Sequence, residues 1–230
     1  MNKKSIFPQE LADALKKANK SIQVLLKIMP EYLVELANLG WFISLDLTPR
    51  ETSEIFSKLE EKNYQAIDNY MVSYVEEKIQ RIEKEIIEAF PKRREPLKAG
   101  FRAFKKGEYY LAIPVFLAQI DGICVDSFDQ HFFTSNERRK EKTRGKYSVL
   151  NSNSVLNAFF EPTGRKIEIS KGKKEQHVRN KLIFNRHEIM HGIDNHYGNK
   201  INCLKAISLL DYISDITRSK RYFREIKKEK

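Results

Sequence analysis

The run from Tyr64 to Phe90 is the feature that most constrains the fold, because a helical repeat continues along its whole length. Glu and Lys fill many of the positions between its apolar residues, mainly from Glu76 onward. Those apolar residues recur mostly every three or four positions: Ile67, Met71, Tyr74, Val75, Ile79, Ile82, Ile86 and Phe90. Such a repeat is typical of an amphipathic helix with one buried face. We therefore predict a long helix that packs against a core.

The chain before this run also shows helical patterns. Apolar residues from Pro8 to Met29 recur near a 3.6-residue period. Pro30 is expected to interrupt that helix, because proline lacks the backbone N–H that a helix interior uses. A second helical run follows to about Ile43.

The clearest helix start in the sequence is Thr48-Pro49-Arg50-Glu51. A threonine N-cap, a proline at the first helical position and a glutamate at the third form a capping box. This pattern predicts a helix that begins here and continues to about Glu60.

Two further helices are predicted after the long one. Lys92 to Lys106 forms a basic helix bounded by Gly107, and Tyr109 to Phe128 is the most apolar segment of the chain, with a bend expected at Pro114. Asp121 lies inside this apolar segment. A carboxylate there is costly to bury unless it is paired, so it either pairs with an arginine or faces a wet groove.

The helical pattern lapses from Asp129 to about Gln176, which we interpret as an inserted basic excursion. Within it, Thr163 to Gly172 is predicted to form a small hairpin or an exposed loop. Helix resumes near His177, and a last helix is expected from about Asn199 to Lys228. The fold class is therefore all-α, a multi-helix bundle with an inserted basic loop or small hairpin.

The chain divides at Gly107 into two working regions. Residues 1–106 form a helical amino-terminal region, either a sensor or a packing extension, and residues 107–230 carry the basic insertion around residues 129–176. Because no linker rich in Pro, Gly or Ser lies near residue 100, we expect one continuous helical body.

The formal net charge of +11 indicates a polyanionic partner. Nucleic acid is the leading candidate. The excess positive charge is concentrated in three runs: Arg138–Lys146, Lys171–Lys181 and Arg218–Lys230.

Cysteine content and hydropathy point to the cytoplasm. Cys124 and Cys203 are the only cysteines and lie in apolar helical patterns, so we expect buried thiols rather than a disulfide framework. The basic start of the chain is not followed by an apolar run, and no window of eighteen residues is expected to be apolar enough for a membrane span.

Three of the five histidines lie between residues 187 and 196. His187 and His191 are one helical turn apart with Glu188 beside them, the H-E-x-x-H pattern that binds zinc and supplies a general base in metalloproteases. A third ligand is required, and Asp211 or Asp215 on the next helix is the candidate. No run of strands precedes the motif to hold an extended peptide, as such proteases usually require.

The same stretch also has a second interpretation. Asn185-Arg186-His187-x-x-x-His191-Gly192, then Tyr197-Gly198 and the segment 202–212, resembles the carboxy-terminal signature of HEPN-domain proteins. The hallmark of this all-helical family is an arginine, a polar residue, three or more further residues, and a histidine that glycine commonly follows. Glu188 fills a variable position. The preceding apolar helix with its acidic residue, Asp121, is also similar, and the likeness covers roughly residues 107–228.

The resemblance implies a metal-independent endoribonuclease, commonly a toxin or an antiphage abortive-infection protein. Such a protein acts on RNA as a homodimer and is restrained by an antitoxin or a phage-derived regulator, with no cofactor and no membrane. His191 would act as general base or acid on the ribose 2′-hydroxyl and the leaving 5′-oxygen. Arg186 would hold the phosphate, and His187 would position the phosphate or orient that arginine.

Asp121, Asn185 and Glu188 are the predicted supporting residues, with Asp121 holding Arg186 by a salt bridge. On an ideal helix Arg186 and His191 lie about 140° apart. A site shared between two subunits, or a helix break near Gly192, would relieve this constraint. A non-catalytic module that binds nucleic acid or a partner remains an alternative, and His131 and His196 are expected to be polar loop residues.

Overall fold

The computed structural model describes residues 9–133, 155–165, 167–170 and 185–228. These residues contain no strand, so the all-α prediction is confirmed for them. Short 3-10 turns lie at Pro91–Arg93 and Glu168–Ser170. The helices are α1 (Gln9–Asn38), α2 (Pro49–Glu60), α3 (Tyr64–Ala89), α4 (Arg94–Lys105), α5 (Tyr109–Phe128), α6 (Val155–Gly164), α7 (Arg186–Met190) and α8 (Lys200–Lys228).

The capping box predicted at the start of α2 is present. The Glu51 backbone N–H donates to Thr48 Oγ1 at 3.2 Å, and the Thr48 backbone N–H donates to a Glu51 carboxylate oxygen at 2.7 Å. Two backbone donors that the first turn leaves unpaired are thereby satisfied. The long helix α3 begins and ends close to its predicted limits.

The prediction that Pro30 ends the first helix is wrong. Helix α1 continues through Pro30 to Asn38. One turn later Leu33, Leu36 and Ala37 are buried in the core, and this burial outweighs the one backbone hydrogen bond that proline removes. The helical run predicted to about Ile43 is therefore the end of α1 and stops at Asn38. Gly40 follows with a φ of +86°, which suits the residue after a helix C-cap.

Helix α8 is central to the core, since every residue from 203 to 217 is buried. It packs against α3 and α5, while α4 packs on α5 and α6 packs on α1. The buried apolar side chains form one cluster that includes residues from both sides of Gly107.

The loop after α1 is bonded directly to α8. The Phe42 N–H donates to Ser208 Oγ at 3.3 Å, and the Leu45 N–H donates to Asp215 Oδ2 at 2.8 Å. These bonds fix the amino-terminal part of the chain against the last helix.

A second buried polar contact joins the same elements. Lys205 of α8 is 1% exposed and lies 3.3 Å from Asp68 of α3. Trp41 Nε1 donates to the same carboxylate at 2.6 Å. The mutual attraction of such a buried pair is largely offset by the cost of removing both charges from water.

The segment from residue 155 to residue 170 belongs to the core, which corrects two predictions. Thr163 and Gly164 close helix α6, and Glu168–Ser170 is a 3-10 turn, so the small hairpin predicted there does not form. Apolar side chains decide the outcome: Ala158, Phe159, Phe160, Ile167 and Ile169 are buried, so this part of the predicted excursion is not an exposed loop. The basic runs Arg138–Lys146 and Lys171–Lys181, and the helix predicted near His177, lie outside the described residues.

Helix α5 is long and apolar enough to cross a membrane by length and composition, contrary to the hydropathy expectation. Composition alone is weak evidence, since the core helices of folded domains pass the same test. In this structure α5 packs between α4 and α8, with Phe116, Leu117 and Ile120 fully buried or nearly so. Pro114 lies inside this helix, and the bend predicted there stays a prediction.

Candidate functional site

Asn185 fixes the start of the short helix α7. Its side-chain oxygen accepts hydrogen bonds from the backbone N–H groups of His187 at 2.8 Å and Glu188 at 3.3 Å. Its Nδ2 donates to the carbonyl of Glu168 at 3.0 Å. The asparagine is therefore both an N-cap and a link to the preceding 3-10 turn. This is a structural role for a residue that the sequence marked as supporting.

The other end of α7 closes at a glycine. Gly192 has a φ of +67°, its N–H donates to the Ile189 carbonyl, and the Ile193 N–H donates to the Glu188 carbonyl at 2.8 Å. This paired arrangement is a Schellman C-cap. His191 is the C-cap residue and has already left helical geometry. The helix break predicted near Gly192 is thus present.

Asp121 of α5 holds Arg186. Arg186 Nη2 lies 3.4 Å from Asp121 Oδ2, while Asp121 Oδ1 accepts from the backbone N–H groups of Phe132 at 2.8 Å and Phe133 at 3.2 Å. The guanidinium also lies over the Phe133 ring, 5.5 Å from its centre. The Asp121 side chain is 13% exposed and that of Arg186 is 32% exposed. An arginine partner for Asp121 was predicted, and this contact confirms it.

His131 is a member of this cluster that the sequence did not indicate. Its Nδ1 lies 3.8 Å from Asp121 Oδ2, and its side chain is 60% exposed. Asp129, with a φ of +56°, ends α5 and turns the chain back toward the helix. His131 is an exposed loop residue, as predicted. Its contact with Asp121 depends on the left-handed residue Asp129, which nothing in the sequence indicated.

His187 and His191 lie side by side on α7. Their ring centres are 4.3 Å apart and their planes are inclined by 56°. Ile189 between them is buried, which turns the two imidazoles away from the core. His196 lies in the next loop and is exposed, with its backbone N–H donating to Asp194 at 2.7 Å.

The third zinc ligand predicted from the sequence is not near this pair. Asp211 lies 3.8 Å from Arg81, and Asp215 pairs with Arg218 and with the Leu45 backbone. Both carboxylates therefore belong to a polar cluster between α3 and α8. Within the part of the chain that the structure describes, no three His, Cys, Asp or Glu side chains come together in a way that could hold a metal ion.

Asp211 is the most perturbed acid of this second cluster. Burial raises its pKa to about 7, and the neighbouring Asp215 carboxylate acts in the same direction against the lowering effect of Arg81. Asp211 Oδ1 is buried without a hydrogen-bond partner among the described residues. The cluster is closed from solvent at this carboxylate, which favours a structural role over a reactive one.

Comparison with protein-family models, with curated proteins and with solved structures finds no match for this chain. The resemblance to HEPN-domain proteins therefore remains a prediction from the residues around Arg186 and His191.

Proposed function

We propose that the protein is a metal-independent endoribonuclease that cleaves RNA by attack of the ribose 2′-hydroxyl. One observation carries the proposal. A largely buried carboxylate, Asp121, holds the Arg186 guanidinium at the start of a short capped helix, and exposed imidazoles lie at the other end of that helix and beside the carboxylate itself.

Arg186 is the proposed phosphate ligand. A guanidinium carries five N–H donors in a fixed plane and is always charged. Because Asp121 engages one terminal nitrogen, Nη2, donors remain for the phosphate oxygens. A preorganised cation of this kind stabilises the negative charge that builds on those oxygens during cleavage.

His191 is the proposed general base. It takes the proton from the 2′-hydroxyl, the 2′-oxygen forms a bond to phosphorus, and the bond from phosphorus to the 5′-oxygen breaks. The leaving 5′-oxygen receives a proton from a second acid, for which His131 beside Asp121 is the proposed donor. The products are one RNA end with a 2′,3′-cyclic phosphate and one with a 5′-hydroxyl. His187, packed against His191, positions the phosphate or orients Arg186.

The proposed biological setting is phage defence or a toxin–antitoxin system in the cytoplasm, as the HEPN resemblance implies. Met190 and Ile193 beside the motif are 43% and 47% exposed, which suits a contact with a second copy of the chain. The proposed state is accordingly a homodimer, and an antitoxin or phage-derived regulator is the proposed restraint on its activity.

Cleavage of a labelled single-stranded RNA in excess EDTA tests the proposal. The wild type is compared with Arg186→Ala and His191→Ala, with His196→Ala as the control for a nearby exposed histidine. We expect cutting that survives chelation, persists in the control and falls by roughly 10²-fold or more in both site variants. A wild type that cuts no RNA would contradict the proposal.

A zinc hydrolase is the second candidate, favoured by the close pairing of the His187 and His191 rings. Stoichiometric zinc in the purified protein, lost in His187→Ala, together with no RNA cleavage, would establish it. If the protein neither cleaves RNA nor contains zinc, the remaining candidate is a module that binds nucleic acid or a partner.

A further inference from the structure

Helix α4 carries a continuous row of positive charge on its outer side. We call this row the basic face of α4. Its members are all exposed: Lys92 in the preceding turn, then Arg94, Lys98, Arg102, Lys105 and Lys106.

The opposite side of α4 fixes the direction of this row. Leu97, Phe101 and Ala103 are buried in the core. Gly100 lies so close to Phe116 of α5 that an added Cβ would come within 2.7 Å of its ring. The helix cannot rotate without losing these contacts, so its cations stay directed outward.

Acidic side chains neutralise only part of the basic face. Lys105 pairs with Glu83 at 2.6 Å, and Lys98 has a long contact of 3.9 Å with Glu95. No described residue forms an ion pair with Arg94 or Arg102. These two cations are available to an anion from solution.

The spacing of the row suits a strand of regularly placed charges. Arg94, Lys98, Arg102 and Lys106 follow one another at intervals of four residues, so each step rises by about 6 Å along the helix axis. Proteins that bind single-stranded nucleic acid commonly use a positively charged track along the backbone. A membrane-binding helix would also need exposed large apolar residues on this face. None of the large exposed apolar side chains of the described residues lies on α4.

The amino end of the basic face is fixed on α5. Arg93, just before α4, pairs with Asp126 of α5 at 2.8 Å and bonds Gln119 at 3.2 Å. Its guanidinium packs so tightly on Gly122 that an added Cβ there would lie 2.1 Å from Nη1. The amino end of α4 is therefore anchored on the side of α5 that carries Gln119, Gly122 and Asp126.

We propose that the basic face of α4 binds the phosphodiester backbone of a single-stranded RNA. The identity of the strand as a substrate rests on the proposed ribonuclease function. Binding of the RNA backbone does not rest on that function, because it requires only the charges of α4 and their spacing.

The test measures binding without cleavage. A fluorescent single-stranded RNA with 2′-O-methyl groups throughout lacks the attacking hydroxyl, and its affinity for the full chain is followed by anisotropy over a range of KCl concentrations. The α4 variant is Arg94→Gln, Lys98→Gln and Arg102→Gln combined. The matched control combines Lys16→Gln, Lys20→Gln and Lys27→Gln, three exposed lysines of α1. Melting curves check that both variants are folded.

We expect the α4 variant to bind roughly tenfold or more weakly at moderate salt. The slope of log affinity against log salt should become shallower by about 2, since each lost phosphate contact on a single strand contributes about 0.7. The α1 control should keep most of the wild-type slope. Equal losses in both variants would overturn the proposal in favour of net charge alone, and wild-type binding by the α4 variant would overturn it outright.

Two further results separate this proposal from its alternatives. If the α4 variant loses binding to vesicles that contain anionic lipid but keeps its affinity for RNA, the face is a membrane surface and the proposal is wrong. If the wild type binds the methylated RNA through α4 but cuts no unmodified RNA, the ribonuclease function fails while backbone binding stands.

Discussion

Asp121 and Arg186 lie 65 residues apart in sequence and meet through a single carboxylate oxygen, Oδ2, at 3.4 Å. The other oxygen of the same carboxylate accepts the backbone N–H groups of Phe132 and Phe133. One side chain therefore sets the position of the arginine and of the loop that carries His131. The negative charge of Asp121 holds the Arg186 guanidinium, while its second oxygen accepts the hydrogen bonds that hold the loop at Phe132 and Phe133.

Asp121→Asn separates these two roles. The amide keeps one acceptor oxygen for the loop but loses the charge that holds Arg186, so RNA cleavage should fall by roughly ten- to a hundredfold, as for a lost charged hydrogen bond. Melting temperature should change little. Asp121→Ala should in addition destabilise the fold by about 2 kcal/mol, because two backbone donors lose their acceptor. Steady-state cleavage rates and denaturant titrations check both, and a fully active Asp121→Asn would show that the ion pair does not matter.

His131→Ala tests whether the second imidazole beside Asp121 takes part in cleavage. Proton transfer to the leaving oxygen contributes about 10²- to 10⁴-fold in enzymes of this chemistry. We expect a loss of the cleavage rate within that range. His196→Ala removes an exposed histidine and should preserve the cleavage rate. If His131→Ala behaves like His196→Ala, His131 is only a surface residue of the cluster.

Asp211 predicts a pH dependence of stability. Its pKa rises from an ordinary 3.8 to about 7 on folding, so between these values the folded state holds a proton that the unfolded chain has lost. Stability should therefore decrease as the pH rises from about 4 to about 7 and change little above that. Three pKa units correspond to at most about 4 kcal/mol.

Asp211→Asn removes this titration. The variant should be more stable than the wild type at pH 8, and the difference should shrink toward pH 4. The matched control is Asp215→Asn, since Asp215 holds Arg218 and the Leu45 N–H and should lose stability when neutralised. Urea titrations at several pH values measure both. A pH-independent effect of Asp211→Asn would contradict burial as the cause of the raised pKa.

Gly192→Ala tests the C-cap of α7. An added Cβ meets no atom within 4 Å, so any loss comes from the left-handed φ of +67° rather than from a clash. A substitution of this kind should destabilise the protein by about 1 kcal/mol. Gly192→Asn should lose less, because asparagine tolerates this conformation better. Thermal unfolding distinguishes the two, and equal stability of all three proteins would mean that the cap relaxes without cost.

Local signals were the part of the fold that the sequence predicted well. The capping box at Thr48 and the apolar repeat of α3 depend on neighbouring residues only, and both were confirmed. Pro30 and Thr163 were misjudged because long-range packing decided the outcome. Burial of Leu36 carried α1 past its proline, and burial of Phe160 drew its segment into a helix instead of a hairpin.

The candidate site was likewise predictable where a local signal determined it and not where the fold of a distant segment did. The partner of Asp121 was predictable, because burial of a carboxylate in an apolar helix demands a cation. The contact of His131 with Asp121 was not predictable, because it depends on a left-handed turn at Asp129 that the sequence does not mark. The zinc interpretation lost its proposed third ligand for a related reason. Asp211 and Asp215 lie on the helix that follows the histidines in sequence, which made them candidate ligands. They lie on the face of α8 that packs against α3.

The bonds from the Trp41–Leu45 loop to α8 have a consequence for synthesis on the ribosome. Phe42 and Leu45 find their partners 166 and 170 residues further along the chain, so the early helices cannot close their core until the last helix has emerged. Contacts of such long sequence separation slow folding. Helix α5, which carries Asp121, packs on α8, so this part of the core is completed only after α8 has been synthesised. Trp41, the single tryptophan and fully buried, gives the fluorescence signal that would time this step.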